Sequence, residues 1–222
     1  MASKRPPRRA PADPERRRDP ERTRERILQA AVEEFGAHGY SGARVSRIAQ
    51  SAGLNAQLIS YHFDGKAGLY QAVIERWRGV TELIPQPDRS IAEIAGAFVR
   101  TNAANPSYSR LLAWEALGDA PAPGESPGTD DQEADRAAFF QRIAGEFERR
   151  QQLGELPADV SPQHLLLALI AIASAPVTLP HIARRVVGID PDAPDFHEAY
   201  AVQVERLVRH LATDIADAPA QS

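Results

Sequence analysis

Cysteine is absent from the 222 residues. Its absence excludes disulfides, cysteine-ligated zinc and a thiol nucleophile together, and it fits a reducing cytoplasm. Long hydrophobic runs are also missing. The most apolar stretch, Leu165 to Pro180, reads L-L-L-A-L-I-A-I-A-S-A-P-V-T-L-P. It is shorter than a membrane span needs and carries Ser174, Pro176 and Thr178, so it reads as a buried core helix. The N-terminus has charge without an apolar segment behind it, so no signal peptide is expected. No H-E-x-x-H, G-x-G-x-x-G or phosphate-binding glycine loop occurs. Gly39-Tyr40-Ser41-Gly42-Ala43 approaches a nucleophile elbow, but alanine stands where the second glycine belongs and no strand precedes it. The six histidines are dispersed. No catalytic group, metal site or cofactor is expected.

Apolar residues make up 43% and charged residues 25%, the balance of a chain with a real core. The net charge of −4 conceals an asymmetry. Residues 1–80 carry 15 Lys and Arg against 9 Asp and Glu; the remainder carries 11 against 21. A basic end attached to an acidic remainder points to one end meeting a polyanion.

The stretch Arg44 to His62, R-V-S-R-I-A-Q-S-A-G-L-N-A-Q-L-I-S-Y-H, spells two short helices around a tight turn. Val45, Ile48, Ala49 and Ala52 recur at i, i+3, i+4, i+7 as one apolar stripe. Gly53 can close that helix in a left-handed conformation, and Asn55 is a good N-cap for the next. The second helix buries Leu58 and Ile59 and turns its polar residues outward. This is the pattern of a helix-turn-helix, whose second helix enters a DNA major groove.

Residues 1–20, rich in Pro, Arg and Ala, read as a disordered basic arm. A first helix spans about Glu21 to His38, with Ile27, Ala31 and Phe35 in one row beside Leu28 and Val32. After His62, Asp64-Gly65 turns into a long helix from Lys66 to about Leu83. T-R-E-R-I-L-Q-A-A-V-E-E-F-G-A-H-G-Y from Thr23, V-S-R-I-A-Q-S-A-G-L from Val45 and I-S-Y-H-F-D-G-K-A-G-L-Y from Ile59 together resemble the N-terminal domain of the tetracycline-repressor (TetR) family. The resemblance covers about 50 residues in order and spacing. It implies three N-terminal helices with the third as recognition helix, and a divergent helical C-terminal domain that binds an effector and dimerises. The chain departs at Ser60, where many members carry a tyrosine.

Beyond Pro85 and Pro87 the pattern stays helical. Asp88 or Ser90 can cap a helix carrying Ile91, Ile94, Phe98 and Val99, and Pro106 opens another that ends at Gly118. Residues 119–130 read as a Pro/Gly loop with little order. Helices through Phe139 to Phe147, from Pro162 onward with interruptions at Pro176 and Pro180, and across Phe196 to Leu211 complete an all-α fold. The expected division is a 1–20 arm, a 21–65 helix-turn-helix domain and a 66–217 effector-binding and dimerisation domain.

Candidate DNA contacts follow. Asn55, Gln57 and Ser60 are short polar groups able to bond base edges or phosphates, and Ala56 can meet a thymine methyl. Leu58 reads as core packing. Arg44, Ser46 and Arg47 begin a helix whose N-terminal amides favour an anion. The resemblance puts phosphate contacts at Tyr61, His62 and Lys66, and Arg24, close to the first helix, can touch phosphates or enter a minor groove. No arginine on the recognition helix can grip guanine with two bonds, so readout through weaker contacts and DNA shape is expected. One short helix binds weakly, hence a homodimer on a palindromic duplex. Leu165, Leu169 and Ile172, with Tyr200, Val204, Leu207 and Leu211, are the expected interface, an intersubunit four-helix bundle. Effector-lining candidates are Phe98, Tyr108, Leu111, Trp114 and Glu115, then Phe139, Phe140, His164, Thr178 and His181. The expected function is a cytoplasmic regulator, on the nucleoid when bound to DNA, released from its operator by a small-molecule effector and having no membrane partner. An enzyme and a protein-binding helical scaffold are the rival classes.

Overall fold

The computed structural model describes residues 14–82, 88–122, 125, 129–193 and 195–213. These form ten helices, with no strand among the described residues. Helix α1 (Pro14–Gly42) starts ahead of the expected Glu21, so residues 14–20 form its first turns and are not part of an arm. Residues 1–13, the rest of that expected arm, lie outside the described residues. Helical geometry breaks at Gly39, where the first helix was expected to end.

Helices α2 (Val45–Ala52), α3 (Gln57–Phe63) and α4 (Gly65–Glu82) follow. Their apolar faces meet α1 in one core, in which Ile27, Phe35, Ile48, Ile59 and Leu69 are fully buried. Phe35, Tyr40 and Tyr70 form an aromatic triad, with Tyr70 edge-on to Phe35 at 5.2 Å and to Tyr40 at 5.3 Å. Such pairs add directional preference to the burial of large rings.

Of the two expected caps, Asp88 and Ser90, it is Ser90 that opens α5 (Ile91–Ala104), in a capping box where Ser90 and Glu93 bond each other's backbone reciprocally. Next come α6 (Pro106–Ala116), α7 (Thr129–Gln152) and α8 (Pro162–Thr178). Pro176 sits inside α8, and the chain breaks at Leu179 before α9 (Pro180–Val187), 89° away in direction. No single helix among the described residues is long and apolar enough to cross a membrane; α8 and α9 reach that composition only as this bent pair. Helix α10 (Phe196–Thr213) packs along α5 through Ala201, Val204 and Val208. Arg100 of α5 bridges to Glu198 at 2.6 Å and Glu205 at 2.7 Å on α10. A second core joins α5, α7, α8 and α10.

The two cores are not separate bodies. Tyr108 and Leu111 of α6 lie in the first, and Trp77 of α4 stacks on Tyr108 at 4.6 Å. At Gly36 the backbones of α1 and α6 come so close that a Cβ would stand 2.6 Å from the Ser107 carbonyl oxygen, which only glycine avoids. Ser107 Oγ donates to Glu33 at 2.8 Å and Trp114 Nε1 to the Gly36 carbonyl at 3.3 Å. The expected boundary at 65/66 thus falls within continuous packing: α4 gives one face to the first core and Trp77 to its joint with α6.

Of the loop expected at 119–130, residues 119–122 and 125 are described and are non-helical, and α7 begins at Thr129, inside the expected loop. Its described residues are tethered. Asp119 Oδ1 accepts from the Ser41 amide at 2.9 Å, and Glu125 Oε1 accepts from the Tyr40 hydroxyl at 2.6 Å.

Candidate nucleic-acid interface and effector cavity

The turn between α2 and α3 is built as its residues require. Gly53 takes φ +64°, ψ +40°, and its amide closes α2 on the Ala49 and Gln50 carbonyls. Ala56, not the expected Asn55, holds the N-cap position of α3; the Asn55 side chain accepts from the Gln57 amide at 2.9 Å in a turn one residue earlier. Arg26 of α1 donates through its guanidinium to the Ala52 carbonyl, holding the turn against the first helix. Asp64 ends α3 in a left-handed conformation that a short polar side chain tolerates.

This scaffold presents one side to solvent. Arg44, Ser46, Asn55, Ala56, Gln57, Ser60 and Tyr61 are all exposed, Tyr61 at 80%. A tyrosine that free on a short helix contributes nothing to the core and is open to an external partner. Leu58 is half-buried against the first core, the packing role expected of it. His62 is half-buried and stands edge-on to Tyr61 at 5.0 Å. Arg24 reaches the same end of α3, its guanidinium 5.0 Å above the Phe63 ring.

Two expected contacts are held inward. Arg47 Nε donates to Glu34 at 2.6 Å and its other donor meets the Gly42 carbonyl at 2.9 Å. Lys66 Nζ lies 4.6 Å over the Tyr40 ring and 3.4 Å from the Ser41 carbonyl. Both fix the α1–α2 corner, and a phosphate has to compete for them.

Helices α4 to α8 line a part-open cavity of about 170 Å³. Of the expected lining residues, Phe98, Glu115, Phe139 and Phe140 face it. Tyr108 and Leu111 do not, because they are consumed by the first core. Trp114 is turned to α1, Thr178 donates back to the Ser174 carbonyl at 3.0 Å, and His164 and His181 are exposed. Sequence patterning overlooked Trp77, Asn102 and Arg136, which also line the cavity. Trp77 carried a visible helical register; Asn102 and Arg136 gave no signal, being polar residues on amphipathic helices. Arg136 of α7 contacts Glu115 of α6 at 3.4 Å and Gln71 of α4 at 3.3 Å. Burial, and next the nearby Glu115 carboxylate, push the Tyr70 hydroxyl well above its ordinary pKa.

The expected interface divides in two. Leu169 and Val204 are buried in the chain's own second core, so they are withdrawn from that set. Leu165, Ile172 and Tyr200 pack half-buried beside them, with the Tyr200 hydroxyl donating to the Ile172 carbonyl at 3.0 Å. Leu207 at 51% and Leu211 at 48% remain exposed, next in kind to Leu167 at 64%. The burial alternates because α10 turns one row to α5 and the adjoining row outward.

Two family models match the chain. The one described as bacterial regulatory proteins of the tetR family matches residues 27–73, and the tetracyclin repressor-like C-terminal domain matches 90–209. The HTH-type transcriptional repressor SCO4008 of Streptomyces coelicolor is 33% identical over 174 residues, 77% of this chain and 86% of that protein. The HTH-type transcriptional regulator YttP of Bacillus subtilis is 24% identical, over 85% of this chain and 93% of its own. The solved structure of SCO4942 from Streptomyces coelicolor is 29% identical and superposes with a TM-score of 0.66, covering 83% of this chain and 97% of that one. These relatives are regulators and not enzymes. The chain belongs to the tetracycline-repressor family of bacterial DNA-binding transcriptional regulators.

Proposed function

We propose that this regulator acts as a homodimeric repressor: two copies seat their α3 helices on a palindromic operator, and a small molecule in the cavity releases them. The exposed polar row of α3, with Tyr61 standing clear of the core, carries this reading. A helix of seven residues reaches only a few base pairs, so a pair of half-sites about one turn apart is needed for specific affinity. The outward leucines of α8 and α10 offer the self-complementary surface that a two-fold pair requires. Gln57, Asn55 and Ser60 read base edges; Tyr61, His62, Lys66, Arg24, Arg44 and Ser46 hold the backbone, and Arg47 joins them when phosphate draws it from Glu34.

Release works by differential affinity. A ligand that fits the cavity better in one dimer geometry favours that geometry, and the operator favours another. Helix α4 is the shared part, because it closes the first core and lines the cavity through Trp77 and Ile74. The regulator works in the cytoplasm, on the nucleoid when bound. Repression is the sense carried by the name of the Streptomyces coelicolor relative.

Selection of duplexes from a random pool tests the proposal. It expects an inverted repeat protected by two chains. Enrichment of a single asymmetric site bound by one chain contradicts it.

A further inference from the structure

The cavity's size and wall specify what fits it. At about 170 Å³ it is smaller than a drug-sized site of roughly 300–1,000 Å³ and close to the engineered apolar cavity of about 150 Å³ that takes up benzene. One or two rings fill it. Trp77, Phe98, Phe139 and Phe140 supply aromatic faces.

Charge on the wall is already matched. Arg136 contacts Glu115 at 3.4 Å, and Arg78 is paired with Glu75 beside the cavity. A ligand with net charge would bring an unpaired ion into an apolar space, or strip one of these pairs. A neutral ligand does neither. One wall group asks for more than apolar contact. Asn102 of α5 is only 8% exposed and lines the cavity, yet its side-chain amide has no hydrogen-bond partner among the described residues. Its polar atoms are not sealed in the core but open to the cavity, so a ligand that bonds them gains specificity that apolar contact cannot give.

We infer that the effector is a neutral one- or two-ring aromatic compound with a carbonyl or carboxamide group that bonds the Asn102 side chain. This rests on reading the cavity as the effector site. The pairing is complementary, because asparagine offers one acceptor oxygen and an NH2 donor.

Benzamide, benzoate and benzylamine present one ring in neutral, anionic and cationic form at pH 7, and calorimetric titration of the full chain separates them. Benzamide binds at least about tenfold tighter than either ion. Asn102→Leu weakens benzamide about tenfold and leaves toluene, which has no hydrogen-bonding group, unchanged. Ala173→Phe, which fills the space, abolishes both. Benzoate or benzylamine binding as tightly as benzamide, or no measurable binding of benzamide, overturns the inference on the native chain alone. A charged compound that is blocked by Ala173→Phe and releases the duplex overturns the neutral class while the effector reading stands. Benzamide that binds with the expected selectivity but leaves the duplex bound supports the class and refutes release.

Discussion

The first core is closed by interlocking aromatic rings, whereas the second borders a cavity. Around Phe35 the aromatic rings of Tyr40 and Tyr70 close on each other, and Arg26, Glu34 and Lys66 pin the helix-turn-helix at its turn and corner. The second core borders a cavity of about 170 Å³ edged by an unpartnered amide and a salt bridge. The difference teaches how labour is divided. Reading DNA needs side chains held at fixed spacing, which dense packing supplies. Responding to a ligand needs space left open, at a cost in stability that the α1–α6 joint helps to offset.

Truncation against filling breaks that comparison most sharply. Phe35→Ala empties a fully buried position of the first core and is expected to cost about 3–5 kcal/mol. Thermal unfolding should show this as a large drop in midpoint with loss of duplex binding. Ala173→Phe in the second core should shift the midpoint by less than a third as much, because its ring enters the void. Equal losses mean that the second core has no usable space.

The outward leucines come next. Leu207→Asp combined with Leu211→Asp should raise the dimer dissociation constant at least about a hundredfold, by placing carboxylates in an apolar interface. Light scattering checks the mass, and helicity should be retained because Val204 and Val208 still face α5.

Tyr61→Ala should weaken binding about tenfold to every sequence, with no change in melting midpoint, because the ring contributes nothing to the core. Gln57→Ala should instead relax preference at one base pair. Titration of each variant against the selected duplex and its single-base mutants distinguishes these outcomes.

The smallest effect concerns the tether between loop and corner. The Tyr40 hydroxyl, and next the Ala122 amide, hold the Glu125 carboxylate below its ordinary value of 4.5. A folded pKa below the unfolded one gives stability that is complete above about pH 5 and lost as pH falls through the folded value. The protection factor of the Ala122 amide, its exchange rate relative to an unstructured amide at the same pH, should therefore fall below pH 4.5 and stay constant from pH 5 to 7. A protection factor that is flat throughout removes the tether from the account.

Much of the first half was legible because each local requirement has its own residue. Gly53 supplies the left-handed turn, Asn55 a side-chain bond within it, and Ile48 with Ile59 the buried stripes. The start of α1 was misplaced, since the Pro and Arg content of residues 14–20 argues for an arm and not for added turns. In the second half the helices could be placed from periodicity, but their partners could not. The row Tyr200, Val204, Leu207, Leu211 looks uniform along the chain. Only packing against α5 separates Val204, buried, from Leu207, exposed. Tyr108 and Leu111 likewise read as cavity residues until α6 is seen to turn them into the first core. Asn102 left no mark, because a buried polar residue on an amphipathic helix looks like a solvated one.

Salt dependence of binding to the selected palindromic duplex tests the division of labour most directly. Affinity of the native chain should fall steeply and linearly in logarithmic salt, with two chains per duplex, and Tyr61→Ala should lower the whole line without changing its slope. Binding that ignores salt, or that is unchanged when Tyr61 is removed, contradicts α3 as the surface that meets DNA.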